Sequence, residues 1–389
     1  MAQLKAARAA DVPSAAAVPD TGAHLGVASA CISSGADTAA AGRRRRAPLV
    51  VIGHRGKGMN ALASPDARMR DVRENTLRSF NDAAAAHPGV AYVEFDVQVT
   101  KDGCPVIFHD NFIFTEQDGE ISGKRVTDLD LDEFLSYGPQ KDQGKTGKPL
   151  LRKLKDGRIL RWDVRSEDAL CTLREALEGV DRRVGFNVEL KFDDDLAYTA
   201  EQLTVTLQAV LKVVFEHGNG RPIIFSSFQP DAAQLMRKLQ DKYPVYFLTN
   251  GGTQVYADPR RNSLEEAVRL CLAGGLHGVV SEVRAILQQP SAVVMIKEAK
   301  LSLLTYGQLN NVPEAVYVQH LMGVDGVIVD LVREIAEAVS GFVPAPESSG
   351  SQDGGVGEAD EPEAAAAGTP SFPPREMSFL LTLIPELVQ

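Results

Sequence analysis

Tyr92-Val93-Glu94-Phe95-Asp96-Val97-Gln98-Val99-Thr100-Lys101-Asp102-Gly103-Cys104-Pro105-Val106-Ile107-Phe108-His109-Asp110 carries two strand-like runs on either side of a tight turn. Two apolar runs rich in β-branched residues, 92–97 and 106–108, flank the turn signal Thr100-Lys101-Asp102-Gly103. That turn is too short to hold a crossover helix, so the two runs pair as an antiparallel hairpin. Similar runs recur at Leu49 to Ile52, Val184 to Leu190, Ile223 to Phe225, Val245 to Leu248, Gly278 to Val280, Leu301 to Thr305 and Gly326 to Val329. Helical patterns separate most of them. Leu170, Leu173 and Leu177 accompany a Thr172-x-x-Glu175 capping box, and Ala232, Leu235, Met236 and Leu239 recur at helical spacing. Strand and helix in alternation predict a parallel α/β fold. Setting aside the returning strand of the hairpin leaves eight, the count of a TIM (β/α)8 barrel. The hairpin also brings His109 back to the level of Glu94 and Asp96.

At 389 residues the chain suits one barrel with tails, since such barrels use about 250 residues as a single unit. The barrel domain is read over 48–341. Residues 111–165 break the rhythm: they are charged and turn-rich, with Gly138-Pro139 and a basic run from Lys145 to Arg161. They read as a small subdomain inserted after the second barrel strand, over the barrel mouth. Residues 1–47 are Ala-rich and close on Arg43-Arg44-Arg45-Arg46, but Asp11, Asp20 and Asp37 are unusual for a targeting peptide. A plastid transit peptide and a disordered leader on a cytoplasmic protein both fit. Residues 342–389 read as a disordered acidic tail. Its closing stretch, Met377 to Val388, is amphipathic and suits docking on the barrel or on a second copy of the chain, which leaves homo-oligomerisation open.

Apolar residues at 44% and charged residues at 24% are ordinary for a soluble globular protein with a sizeable core. The net charge is -11, and residues 341–389 hold eight Asp or Glu against one Arg, so the barrel is only mildly acidic. With no basic stripe, nucleic acid is not an expected partner, and an anionic substrate has to be met locally. No apolar run reaches the roughly 20 residues of a transmembrane helix. Cys31, Cys104, Cys171 and Cys271 lie far apart with no CxxC spacing, which suits unpaired thiols and argues against a soft-metal site. Neither a G-x-S-x-G elbow nor a GxxxxGK[ST] loop occurs.

Candidate chemistry sits at strand ends. Glu94 and Asp96 lie two apart and so share one strand face, and Glu189 and Lys191 repeat the pattern around Leu190. Either pair alone suits solvent-facing charge. Two such pairs inside a barrel covered by helices point to an oxygen-ligand site for one Mg2+ or Ca2+, with Lys191 placed to meet a phosphate oxygen. His54 and Arg55 follow the first strand, where Gly56 and Gly58 allow close backbone approach. A lone histidine there is more often structural. Beside Arg55, and with His109 at the same level, it reads as half of an acid–base pair for cleaving a phosphodiester. Glu74, in Glu74-Asn75-Thr76, either caps the next helix or supports His54 or the metal. Ser226, in Ser226-Ser227-Phe228, is a substrate hydrogen-bonding candidate, although serine-rich strand ends are commonly turns.

The segments HRG (54–56), ENT (74–76), EFDVQVTKDG (94–103), HD (109–110), ELK (189–191) and SSF (226–228), in this order, resemble the glycerophosphodiester phosphodiesterase family. The likeness spans about residues 49–340. It extends to plant members, including the chloroplastic type, in Tyr137-Gly138-Pro139, Lys145-Thr146-Gly147-Lys148-Pro149 and Leu304-Thr305-Tyr306-Gly307. The resemblance implies a TIM barrel, a divalent cation, and hydrolysis of glycerophosphodiesters such as glycerophosphocholine to sn-glycerol 3-phosphate and an alcohol. It matches His54 and His109 to the acid–base histidines, Arg55 to a phosphate clamp, Glu94, Asp96 and Glu189 to the metal ligands, and Lys191 to a phosphate contact. Where many members carry Trp-Thr-x-Asn, this chain has Leu304-Thr305-Tyr306-Gly307-Gln308, which leaves the wall against the leaving alcohol open. Two other readings compete: a phospholipase D-like hydrolase of lysophospholipids, and a metabolite-binding or interaction protein on a decayed barrel. The complete His, Glu, Asp and Lys set speaks against decay.

Overall fold

The computed structural model describes residues 48–142 and 144–342. β1 (Val50–Gly53), α1 (Leu77–Ala86) and β2 (Val90–Val99) open the chain, and β3 (Pro105–Ile107) folds back on β2. β4 (Phe112–Gln117), β5 (Glu120–Arg125), α2 (Leu131–Leu135), β6 (Leu151–Lys153) and β7 (Ile159–Arg161) follow. The alternation then resumes with α3 (Leu173–Gly179), β8 (Gly185–Leu190), α4 (Ala200–His217), β9 (Ile223–Ser227), α5 (Pro230–Leu239) and β10 (Val245–Thr249). It ends with α6 (Leu264–Gly274), β11 (Gly278–Glu282), α7 (Val283–Gln288), α8 (Ser291–Glu298), β12 (Ser302–Tyr306), α9 (Pro313–Met322), β13 (Gly326–Val329) and α10 (Val332–Ser340).

Each of the nine runs expected as strands is one. Eight form a parallel sheet in the order β1-β13-β12-β11-β10-β9-β8-β2, which closes because β1 also pairs with β2. β3 lies antiparallel on β2, with Val97 opposite Ile107, as the four-residue turn requires. The capping box at Thr172 and Glu175 forms at the start of α3. Leu170, grouped with that helix from its spacing, lies just before it and packs in the core of the inserted subdomain.

Alternation along β2 separates chemistry from packing. Val93, Phe95 and Val97 point outward under the helices and join the main core. The Phe95 ring centroid lies 5.0 Å from that of Phe80 on α1 and 4.9 Å from that of Phe186 on β8. Burying a ring of this kind contributes about 1.5–3 kcal/mol, so β2 is clamped from outside and its inward residues are held at fixed height. Residues 112–161 build a separate antiparallel sheet, β5-β4-β6-β7. Its own core includes Phe108, Ile113, Phe134, Tyr137 and Trp162.

Among the described residues no helix is long and apolar enough to cross a membrane. Cys104, Cys171 and Cys271 are free thiols. The expectations for 1–47, for 343–389 and for Cys31 lie outside the described residues.

Candidate active site

The parallel register sets two carboxylates at one height, with Glu94 two residues earlier on β2, level with Asn187. Asp96 of β2 is beside Glu189 of β8, and Glu189 is beside Ser226 of β9. Ligand oxygens of Glu94, Asp96 and Glu189 lie within 4.8 Å of one another, and all three residues are buried. Asn75 Nδ2 donates to Asp96 Oδ2 at 2.9 Å. Asp96 Oδ1 is buried without a hydrogen-bond partner. Lys191 Nζ stands 3.7 Å from that oxygen and 2.9 Å from Glu189 Oε1.

Crowding of like charge shows in the acidities. Burial, then the Asp96 charge, push the Glu94 carboxyl well up, and burial pushes Glu189 up as well. Against burial, His109, Arg55 and Lys191 hold Asp96 below the usual carboxylate range. Three carboxylates face two cations, Arg55 and Lys191. An oxygen-only donor set with net negative charge and a spare buried carboxylate oxygen fits a hard divalent ion.

His54 follows β1 at the barrel mouth, where its backbone N–H donates to Val329 O at 2.9 Å. Its Nδ1 lies 2.7 Å from Asp330 Oδ1, and its Nε2 is 4.0 Å from Glu94 Oε2. Asp330, just past β13, also accepts from Met59 N and from Asn311 Nδ2, each at 2.9 Å. Burial opposes charge on His54, but Asp330 outweighs it and the imidazole is raised above its ordinary value. Against its own burial, Asp330 is drawn down to about 2 by His54.

His109 is likewise backed by a carboxylate, with Nδ1 2.7 Å from Asp110 Oδ1. Here the surroundings are cationic: burial, Arg55 and Lys191 lower His109 to about 4. The hairpin therefore delivers His109 to the trio, and the two imidazoles sit in opposite electrostatic settings.

Arg55 adopts φ 50, a conformation rare for a side chain of its size. Its carbonyl is pinned by Asn75 N at 3.1 Å and Ser79 Oγ at 3.0 Å. Its backbone N–H donates to Glu94 Oε2 at 2.8 Å, its Nη1 to Glu74 Oε1 at 2.8 Å, and its Nε is 3.5 Å from Asp96 Oδ2. Gly56, at φ +89, packs so closely on α1 that a Cβ would lie 2.5 Å from Ser79 Oγ, and one on Gly58 would lie 2.6 Å from Asp330 O. The two glycines thus let the loop fold down between α1 and β13.

Glu74 neither caps α1 nor holds His54. The cap of α1 is Thr76, whose Oγ1 accepts from Ser79 N, and His54 is held by Asp330. Glu74 instead ion-pairs with Arg55 and Arg152. Ser226 lies on the cavity wall with its Oγ donating to Asn187 Oδ1 at 2.9 Å. Sequence reasoning missed Asp330, Arg152 and the function of Asp110. Asp330 could have been found as a carboxylate at the end of the eighth barrel strand, a common position for functional groups. Arg152 carried no local signal beyond its place in a basic run.

His54, Arg55, Glu94, His109, Glu189 and Lys191 line a cavity of about 860 Å³. Its wall at the departing Leu304–Gln308 segment is Tyr306, whose ring stacks edge-on against Phe228 at 6.0 Å and whose hydroxyl donates to Asn250 Oδ1.

An enclosed set of acids, bases and cations at the C-terminal end of a parallel barrel defines an enzyme for a small anionic substrate. The chain belongs to the glycerophosphoryl diester phosphodiesterase family, whose model matches residues 54–334. It is 56% identical over 348 residues to Glycerophosphodiester phosphodiesterase GDPD1, chloroplastic, of Arabidopsis thaliana, covering 89% of this chain and 92% of that one. It is 59% identical over 292 residues to Glycerophosphodiester phosphodiesterase GDPD3 of the same plant, covering 75% and 78%. A solved Oleispira antarctica phosphodiesterase in complex with the product sn-glycerol-3-phosphate superposes with a TM-score of 0.52 at 24% identity, covering 75% of this chain and 97% of that one. At that identity the likeness shows the fold alone.

Proposed function

We propose that the protein hydrolyses glycerophosphodiesters such as glycerophosphocholine to sn-glycerol 3-phosphate and an alcohol, using a divalent cation and His54 and His109 as acid and base. The observation that carries this reading is the pairing of a crowded carboxylate trio with two carboxylate-backed imidazoles in one cavity. Glu94, Asp96 and Glu189 would hold Mg2+ or Ca2+. When bound, the ion supplies positive charge to the phosphoryl oxygens as negative charge builds on them. Arg55 and Lys191 supply the remaining cationic contacts, and the Ser226 oxygen, whose proton goes to Asn187, would accept from a substrate hydroxyl.

The charge around each imidazole supports a division of roles. His109, beside Arg55 and Lys191, is suited to the neutral form: its Nδ1–H donates to Asp110 and leaves Nε2 free to take a proton. His54, between Asp330 and Glu94, is suited to the imidazolium, which gives a proton from Nε2. In the favoured route the neighbouring glycerol hydroxyl gives its proton to His109 and forms the new P–O bond, while the P–O bond to the alcohol breaks and the departing oxygen takes a proton from His54. Water then opens the cyclic phosphate, with His54 as base and His109 as acid, and both residues return to their starting states. A tethered nucleophile avoids the entropy cost of bringing in water for the first step. A glycerol cyclic phosphate is expected to be trapped or accepted as substrate, and a diester lacking the neighbouring hydroxyl is expected to react poorly. Efficient cleavage of that deoxy substrate eliminates the internal route and leaves direct attack by water.

The lysophospholipid reading gains nothing from the relatives, which include glycerophosphocholine phosphodiesterases of mouse and Candida albicans. For residues 1–47 we favour a plastid transit peptide over a leader on a cytoplasmic protein, on the likeness to the chloroplastic relative. Incubation of the full chain with isolated plastids is expected to yield an imported form shortened near Arg46. Exclusion from the organelle at full length points to the cytoplasm.

A further inference from the structure

The inserted subdomain reaches into the acid–base machinery through one side chain. Arg152 on β6 donates from Nε to Asp110 Oδ2 at 2.8 Å and from Nη2 to Asp110 Oδ1 at 2.9 Å. The same guanidinium donates from Nη1 to Glu74 Oε2 at 3.0 Å and from Nη2 to Glu74 Oε1 at 2.9 Å. A fifth bond runs from Nη1 to Asn60 O at 3.1 Å. Its flat face lies over Trp162, 4.2 Å from the ring centroid, and the Trp162 Nε1–H is fixed on Asn60 Oδ1 at 3.0 Å. Arg152 is itself buried, so little water competes for these bonds. Only a planar fork with five donors can serve two carboxylates and a carbonyl in this way.

We propose that Arg152 is a positioning residue for the reaction: it fixes Asp110, and Asp110 fixes the His109 ring so that Nε2 faces the reacting oxygen. This rests on the assignment of His109 as acid–base residue. Both Asp110 oxygens are occupied by the guanidinium, so the carboxylate cannot rotate, and Oδ1 is left pointing at His109 Nδ1. Without Arg152 the half-exposed Asp110 is free to turn toward water and the imidazole loses its stop. The Glu74 contacts anchor the fork from its other side. The acidity of Asp110 agrees: against burial, Arg152 and then His109 hold it far below the ordinary carboxylate range. On this account the subdomain that interrupts the barrel supplies a part of the catalytic geometry, in addition to lining the cavity with Lys153 and Leu154.

A double-mutant cycle on glycerophosphocholine turnover tests the link. Arg152→Lys keeps the charge but cannot span both Asp110 oxygens and Glu74. It is expected to lower kcat on the order of 10²-fold, the usual loss when a reacting group is misplaced by about an ångström, with KM changed by less than about threefold. In a His109→Ala background the same substitution is expected to cost less than about twofold. Asp110→Asn breaks the link from its other end and is expected to give the same pattern, so a folding defect in one variant leaves the other to decide. An equal loss of kcat in both backgrounds, or no loss in the unaltered background, overturns the proposal. Near-normal turnover by His109→Ala alone overturns it as well, and marks the failure as that of the His109 assignment.

Discussion

His54→Ala and His109→Ala are each expected to lower turnover of a glycerophosphodiester by roughly 100-fold or more, because loss of a general acid or base commonly costs 10²–10⁴-fold. The fold should survive both changes. Asp330 keeps Met59 N and Asn311 Nδ2 as donors when His54 is gone, and Asp110 keeps the Arg152 fork when His109 is gone. Neither truncation therefore strands a buried carboxylate, the usual route to a large stability loss. Melting close to that of the unaltered protein, together with the drop in kcat, is the expected pair of results. Near-normal turnover by either variant removes that histidine from the mechanism. A large fall in melting temperature with proportionate loss of activity marks a structural residue instead.

Chelation with EDTA is expected to stop turnover, and Mg2+ or Ca2+ to restore it. The carboxylate trio outnumbers its two buried cations, and burial already pushes Glu94 and Glu189 toward the protonated form. Without an ion the trio therefore holds its charge poorly, and the phosphoryl oxygens lack the cation that would stabilise their developing charge. Metal stabilisation of developing phosphoryl charge is worth several kcal/mol, or roughly 10³-fold or more in rate. Glu189→Gln removes one charge from the trio and is expected to weaken ion binding measured by titration calorimetry. Full activity in protein stripped of metal eliminates this part of the mechanism.

The fold was legible because its evidence is local. A four-residue turn between two β-branched runs can only make a hairpin, and that one deduction reduces nine strands to the eight of the barrel. The trio was legible for a similar reason, since a period of two places Glu94 with Asp96 on one face, and closure of the barrel brings in Glu189. The partners of Glu74 were not legible because position before a helix is a strong local cue for capping, and only the tertiary structure reveals that Thr76 fills that role while Glu74 turns inward to two arginines. Asp330 is 276 residues from the histidine it holds, and Arg152 is 42 from its carboxylate, in a subdomain with a different strand rhythm. Long-range polar pairs of this kind leave no periodic trace.

The account stands or falls on which bond breaks. Glycerophosphocholine incubated with the purified protein and Mg2+ or Ca2+, followed by ³¹P NMR, is expected to yield sn-glycerol 3-phosphate and free choline. Phosphocholine and glycerol as products, or an unchanged diester after prolonged incubation with either ion, contradict it.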